Sequence, residues 1–506
     1  MPLKLRIDTF LKFDKDSGRR VAAASSDPTV AANKNLSSLK SLFYLLTGII
    51  TLGLASCSLV PTFDRPSSDA YGDFKYQSFA DSLAAAPIDT VWWKYFGDTT
   101  LNAIIRQVSA NNNDLKAALH NVEQVRTLAR VDRSFLLPEL EIDVNTSRTV
   151  ISENAAQQFQ SNKFTNYSLL GLASYRLDLW GALRNTYRAS VIESEISLLE
   201  YYNLLLVLRA RAASDYINIR RLDMQIALYD STIVLRERSV EIARLNFEAG
   251  AADALDLARA ETQLRIAQSQ RWTFVNQRAR FENSLAVLAG QPPSDFALLV
   301  DRLEGLPPAI PITVPAAVLT RRPDVWIALK TMEAENTRIG VARANLLPDL
   351  VLSANTGYQG RSFENLLTPQ SFSWTVAGGL VQPLFNYGRN RALVDAAYAR
   401  YRQVADLYQQ SVLTAFEEVE NELATLRYLR NQYERQQQTV EAATRALDLA
   451  RQRYEAGLVS YLEVVDAERT ALLNEVDAVA IMGDLYQSTI NLSLALGGSW
   501  RAGEQP

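Results

Sequence analysis

RLNFEAGAADALDLARAE, residues 244–261, returns as RQRYEAGLVSYLEVVDAE, residues 451–468, displaced by 207 positions on the shared glycine. Two other matches follow in the same order. Leu136-Leu137-Pro138-Glu139-Leu140 returns as Leu346-Leu347-Pro348-Asp349-Leu350 at a displacement of 210, and Leu288-Ala289-Gly290 returns as Ala495-Leu496-Gly497 at 207. The chain therefore duplicates one large unit, with a three-residue indel in a loop. Solenoid repeats run about 20–50 residues and need at least three copies, so two copies of roughly 200 residues are two halves of one larger symmetric object.

Composition points to long helices around a packed core. Of 506 residues, 48% are hydrophobic and 21% charged, and the 21 Gly and 17 Pro cluster at a handful of places. A net charge of −4 without a strongly basic block argues against a nucleic-acid partner. One His and one Cys are too few for a His/Cys metal cage, a Ser-His-Asp triad or an intrachain disulfide. His120 falls in a helix-like polar stretch near Asn113 and Glu123 and reads as a surface residue. No catalytic residue, metal site or cofactor is expected.

Residues 42–54 (LFYLLTGIITLGL) form an apolar run of 13, preceded by Lys34 and Lys40. A spanning helix needs about 20 apolar residues, so this run has the length of a signal-peptide core instead. It ends in Leu54-Ala55-Ser56-Cys57, which resembles the lipobox of bacterial lipoproteins. There, cleavage before the Cys leaves it as a lipid-bearing N-terminus. By the same resemblance, Ser58 rather than Asp after the Cys implies sorting to the outer membrane. Residues 1–35 fit a short n-region poorly, as an overcalled start would. The expected division is a signal peptide over 1–56 and a lipid-anchored extended segment over 57–90.

No proline or glycine interrupts residues 389–456. A 3-4 hydrophobic repeat runs along them through Ala405, Tyr408, Val412, Ala415, Val419, Glu422 and Leu426 to Tyr454, broken only by Glu422 and Gln436. The first half carries the matching seam from Leu198 to Phe247, with Asp215 where the second has Glu422. This is a coiled-coil pattern. At 1.5 Å per residue each helix would be about 100 Å long, a length for which a compact core has no use.

Shorter segments alternate with period two. Leu140, Ile142 and Val144 face away from Glu139, Glu141, Asp143 and Asn145; Tyr167, Leu169, Ala173, Tyr175 and Leu177 face away from Ser168, Ser174, Arg176 and Asp178. Residues 349–358 and 371–381 alternate likewise, with Leu350, Leu352, Ala354 and Tyr358, then Phe372, Trp374, Val376 and Leu380, on the apolar face. Strands of about ten residues with aromatic ends and one polar face follow the transmembrane β-barrel pattern. Each half reads helix, strand, strand, long helix, turn, helix. Four strands cannot close a barrel, and an open edge cannot sit in hydrocarbon, so the barrel must be shared between at least two copies.

Over residues 57–498 the chain resembles the outer membrane efflux protein family, of the TolC and OprM type, in its NodT-like lipoprotein branch. The resemblance rests on Trp92-Trp93-Lys94-Tyr95-Phe96-Gly97-Asp98 with Leu101, and on Asn113-Asp114-Leu115 with Ala118. It rests also on the two Leu-Pro-acid-Leu turns, Leu179-Trp180-Gly181 with Arg184, Pro383-Leu384-Phe385 with Gly388 and Arg391, and the paired Phe/Tyr-Glu-Ala-Gly motifs. It implies a mainly α fold with a transmembrane β part. In a homotrimer, twelve strands form one outer membrane barrel, continued across the periplasm by a coiled-coil barrel of twelve helices. It implies a passive exit duct of a tripartite efflux system, partnered by a periplasmic adaptor and an inner membrane RND-type pump, and no reaction. The duplication then divides into repeats at 91–290 and 316–498, a proline-marked linker at 291–315 and a tail at 499–506.

The aromatic-Glu-Ala-Gly motifs end the long helices at Gly250 and Gly457, where glycine permits the left-handed turn of a helical hairpin. By resemblance these are the periplasmic tips, and Arg453, Tyr454, Glu463 and Asp466 match residues of the gate that holds the duct shut. Val459 stands where some members carry an arginine, so that charge link is absent. Glu463 and Asp466 are three apart and share a helix face; around a three-fold axis they would form an acidic ring favouring cations. The other reading is a solvated face with Asp466 paired to Arg469. Phe247, Asp256 and Arg259 stand at the positions of Tyr454, Glu463 and Asp466 in the first half, so the tips are unequal. Glu417, Glu418, Glu420 and Glu422 read as a solvated or pore-facing surface. The leading reading is export of drugs or other small toxic compounds. A heavy-metal cation duct, a type I protein secretion duct and a coiled-coil lipoprotein without a pore are the alternatives.

Overall fold

The computed structural model describes residues 59–65, 74–76, 91–152, 154, 163–250, 252–308 and 321–498. The expected signal peptide, Cys57 and the tail lie outside the described residues. After a 3-10 turn at Trp92–Phe96 come α1 (Thr99–Asn111), α2 (Asn113–Ser134), β1 (Glu139–Val150), β2 (Lys163–Leu177), α3 (Ala182–Glu248) and α4 (Ala254–Leu288). They are followed by α5 (Pro323–Ala344), β3 (Asp349–Gly360), β4 (Phe372–Val381), α6 (Arg389–Glu455) and α7 (Tyr461–Ala495). The duplication is metrical. α2 and α5 have 22 residues each, β1 and β3 12, α3 and α6 67, and α4 and α7 35. Only β2 and β4 differ, with 15 and 10 residues. The change of displacement from 210 to 207 thus falls within the strand hairpins rather than the helices.

α3 pairs with α4 and α6 with α7 as long hairpins, while α5 packs on both α3 and α6, and α7 also packs on α3. Every seam position named in α6 is at least half-buried; in α3 the seam fails only at its last position, Phe247, which is exposed. The polar breaks in the seam are satisfied in register. Ser284 Oγ donates to Asp215 at 2.7 Å, and Asn491, the counterpart of Ser284, donates to Glu422 at 3.3 Å, beside Ser488 Oγ at 2.5 Å. Gln436 Nε2 donates to both the backbone and the side-chain oxygen of Asn474.

In the glutamate run of residues 417–422, Glu417 and Glu418 are exposed and Glu420 and Glu422 half-buried, and three of the four have partners on neighbouring segments. Glu418 pairs with the buried Arg322 at 2.6 Å, Glu420 accepts from the backbone N–H of Lys75, and Glu422 is held as above. A count of charges along a helix does not reveal that neighbouring segments lie across it. His120 is exposed beside Glu123, as expected.

The helical body is tied at a waist. Trp92 is fully buried there in a core with Leu101, Ile105, Tyr216 and Ile219, and Asp98 caps α1 by accepting from Thr100 N and Leu101 N. Asn112 caps α2 and reaches across to donate to Leu288 O at 2.9 Å. Its counterpart in the second repeat, Arg322, donates to Ala495 O at 3.0 Å. The same clasp is made by different chemistry, and it ends on the helix-terminal glycines. A Cβ on Gly290 (φ 72°) would sit 2.5 Å from Asn111 O, and one on Gly497 (φ 86°) 2.2 Å from Arg321 O.

Two stability outcomes follow from these contacts. Gly457 has a left-handed φ of 69° but open space around its missing Cβ. Gly457→Ala should therefore cost only the backbone term, about 1–2 kcal/mol, whereas Gly497→Ala adds a backbone clash and should cost roughly 2–4 kcal/mol. Equal unfolding midpoints for the two variants in detergent would refute this account of the waist. Burial pushes the Asp215 carboxyl above its ordinary range, against the opposing effects of Ser284 and Arg211. The folded chain then binds more protons than the unfolded one between the two pKa values, so stability falls as pH rises through that interval. Asp215→Asn should raise the unfolding temperature at neutral pH, with the gain vanishing below about pH 4; a gain independent of pH would contradict it.

Candidate functional site

β1 to β4 form one antiparallel meander in the order β1-β2-β3-β4. Register fixes the faces. Leu140, Ile142 and Val144 stand opposite Ala173, Gly171 and Leu169, and Leu350, Ala354 and Tyr358 opposite Leu380, Val376 and Phe372, all on one face. Glu139, Glu141, Asp143, Ser174, Ser353 and Thr375 lie on the other. The face assignments expected for all four strands hold. The apolar face is bare: Ile142 is 80% and Trp374 68% exposed. Aromatic contacts mark the hairpin-loop end, with Tyr358 against Phe372 at 5.6 Å and Tyr167 against Phe363 at 6.0 Å. At the helix end Trp180 Nε1 donates to Pro348 O at 2.8 Å. On the polar face Arg176 pairs with Asp349 at 2.7 Å, while Glu139, Glu141 and Asp143 make no ion pair among the described residues. β1 and β4 each pair on one side only, so the sheet ends in two open edges. No described helix is long and apolar enough to cross a membrane.

At the opposite end of the long helices, Gly250 (φ 68°) and Gly457 (φ 69°) make the hairpin turns, donating to Phe247 O and Tyr454 O. The two hairpins pack together there. Val240 and Ala243 of α3, Ala260 and Leu264 of α4, and Tyr461, Val464 and Val465 of α7 form one buried cluster. Tyr454 is half-buried against Tyr461, ring centroids 5.4 Å apart. A cavity of about 310 Å³ lies beside this pair, lined among others by Ile242, Arg451 and Glu468.

Of the expected gate residues, Arg453, Glu463 and Asp466 are exposed. Asp466 pairs with Arg469 at 3.3 Å, and among the described residues Arg453 and Glu463 make no ion pair. Among the described residues, no hydrogen bond or ion pair joins any two of the four gate residues. In the first half Asp256 pairs with Arg259 at 3.5 Å. The sequence reading missed the residues that do hold the tip. Arg451 Nη2 donates to the buried Glu468 at 3.0 Å, and the buried Arg236 donates to Gln263 O at 2.5 Å. Burial, with Glu468 nearby, raises the Tyr461 hydroxyl above its ordinary pKa. A signal for one pair existed: Arg451 and Glu468 are the first and last residues of the repeated block.

Comparison with known proteins agrees with this geometry. The outer membrane efflux protein family matches residues 104–291 and 314–498, one span in each repeat. Outer membrane protein OprJ of Pseudomonas aeruginosa is 29% identical over 470 residues, covering 92% of this chain and 97% of that protein. The toluene efflux pump outer membrane protein TtgF of Pseudomonas putida is 29% identical over 472 residues, covering 90% and 97%. The CmeC outer membrane channel of Campylobacter jejuni superposes with a TM-score of 0.80 at 25% identity, covering 89% of this chain and 96% of that one. Matched in both repeats, and carrying a sheet with one bare apolar face above paired helical hairpins, the chain is an outer membrane channel component of efflux and belongs to the outer membrane efflux protein family.

Proposed function

We propose that three copies of this chain close one β-barrel in the outer membrane and one helical tunnel below it, forming the exit duct of a tripartite pump for small organic toxicants. The observation that carries this reading is the four-stranded sheet, with an exposed apolar face, a polar face and two unpaired edges. Such a sheet is stable in hydrocarbon only when neighbouring copies pair its edges. The role is conduction and requires no catalytic group. A periplasmic adaptor and an inner membrane RND-type pump are the partners such a duct needs, and the tips are where they would meet it. The name of TtgF, a toluene efflux component, supports a hydrophobic organic cargo.

The lipid anchor at Cys57 belongs to the same proposal, together with a signal peptide over 1–56 and repeats at 91–290 and 316–498. Leu59 O accepts from Arg343 Nη1 at 3.2 Å, and Pro61 O accepts from Asn336 Nδ2 at 2.9 Å, so residues 59–61 run along α5 away from the start of β3. In the gate, Tyr454 and Asp466 act between copies, since within one chain they contact Tyr461 and Arg469 instead.

In planar bilayers the purified protein should conduct, and Tyr454→Ala with Asp466→Ala should raise its conductance several-fold. Unchanged conductance would remove the second hairpin from the gate; no conductance by any form would favour a lipoprotein without a pore. A deletion strain should become hypersensitive to dyes, detergents and antibiotics and recover on complementation. Sensitivity confined to copper and silver salts would replace the organic cargo by a metal cation.

A further inference from the structure

We propose that Arg148 and Lys163 form, on the outer wall of the barrel, a binding site for the phosphate groups of lipid A, the anionic lipid that bacterial outer membranes carry in their outer leaflet. The inference rests on the barrel reading above and names a lipid partner for its loop end.

Strand register sorts the charges of the sheet by face and by height. The apolar, outward face takes alternate residues from Leu140 to Val150 in β1, Lys163 to Leu177 in β2, Leu350 to Gly360 in β3 and Phe372 to Leu380 in β4. Among these, Arg148 and Lys163 alone are charged, and both stand at the hairpin-loop end. The strand carboxylates, Glu139, Glu141, Asp143 and Asp349, all lie on the polar face toward the helix end. A lipid-facing cation is costly at the bilayer midplane and tolerated at the interface, so the two cations mark an interface. The long helices leave the sheet at its other end and run into the periplasm, which makes this the outer leaflet.

The length of the apolar wall gives the same height independently. Tyr167 and Leu177 stand ten residues apart on the outward face of β2, which at about 3.3 Å per residue and a tilt of about 40° spans roughly 25 Å, the height of a barrel's apolar band. Tyr167 with Phe363, and Tyr358 with Phe372, close that band as an aromatic girdle. Arg148 stands two residues beyond Thr146, the strand partner of Tyr167, and Lys163 four residues beyond Tyr167 itself. The same rise and tilt put them about 5 and 10 Å above the girdle, at headgroup depth. Arg148 opposes Thr165 and Lys163 opposes Val150, so the two cations are diagonal neighbours with Cβ atoms about 7–8 Å apart. Both are exposed. The guanidinium fork takes two phosphate oxygens, and the ammonium adds a point charge beside it. A headgroup with two phosphate monoesters satisfies this pair better than a single phosphodiester does, which selects lipid A over ordinary phospholipids. No Asp or Glu stands among the described outward positions of the strands to compete for the cations.

Lipid retention by the purified full-length protein tests this. Incubated in detergent with bisphosphorylated lipid A and then diluted, the oligomer should keep the lipid in native mass spectra. Arg148→Gln with Lys163→Gln should retain roughly ten-fold less, and the unsubstituted protein should retain dephosphorylated lipid A just as poorly. Arg148→Lys with Lys163→Arg keeps both charges and should hold the lipid, as should Arg176→Gln, which removes a cation from the polar face instead. Full retention by the doubly neutralised protein would overturn the site. Equal retention of phosphatidylglycerol and lipid A by the unsubstituted protein would overturn the choice of lipid. All variants should still conduct in planar bilayers; a monomeric native mass without conductance would sink the barrel reading itself rather than the lipid site.

Discussion

A strand edge exposed to hydrocarbon is the constraint from which the rest of this molecule follows. Each unpaired backbone group in a lipid core costs several kcal/mol, and four strands in meander order leave two whole edges of them. No rearrangement within the chain removes those edges, because β1 and β4 lie at opposite sides of the sheet. Closure by further copies is the remaining solution. The helices that follow each hairpin must then continue the wall that the strands begin, which is why 67-residue helices grow from a sheet of strands no longer than 15 residues.

Duplication makes that wall regular, and the departures from it are informative. Helix lengths are conserved to the residue between repeats, because a coiled-coil seam tolerates no loss of register along about 100 Å. The strands differ, because a hairpin can lose residues at its loop without disturbing the seam. At the waist Asn112 and Arg322 reach equivalent carbonyls, Leu288 O and Ala495 O, with different side chains. The longer guanidinium also gathers Asp324 and Glu418, so the second repeat carries a charge network where the first has one amide.

Periodicity made the repeats, the long helices and the strand faces legible in the sequence. Glu139 to Val144 announces both faces of β1 by alternation alone, and the seam from Ala405 to Tyr454 announces the buried side of α6. What stayed hidden depends on segments distant in sequence. Glu418, Glu420 and Glu422 look like a solvated run until Arg322, Lys75 and Ser488 are found across them. Arg236 looks like an ordinary seam defect until its bond to Gln263 O appears. The tip was legible as a turn, through Gly250 and Gly457, but not as a packed object, because Tyr461 and Glu468 acquire meaning only from the opposite arm of the hairpin.

That packed object constrains how a gate here could open. Beneath the tip, the Tyr454–Tyr461 contact and the Arg451–Glu468 pair join the two arms of the second hairpin, and the buried cluster from Val240 to Val465 binds the two hairpins of one chain into a single body. Breaking these contacts would expose apolar surface and strand the buried Glu468. Glu463 and Asp466 are solvated instead, and exposed charges exchange partners at little cost. On the proposed reading, the easier motion therefore carries each chain's paired hairpins outward together, separating copies at the axis while every intrachain contact at the tip survives. Opening then depends on charge contacts between chains, which salt screens, and not on melting the helical turns that Gly250 and Gly457 make.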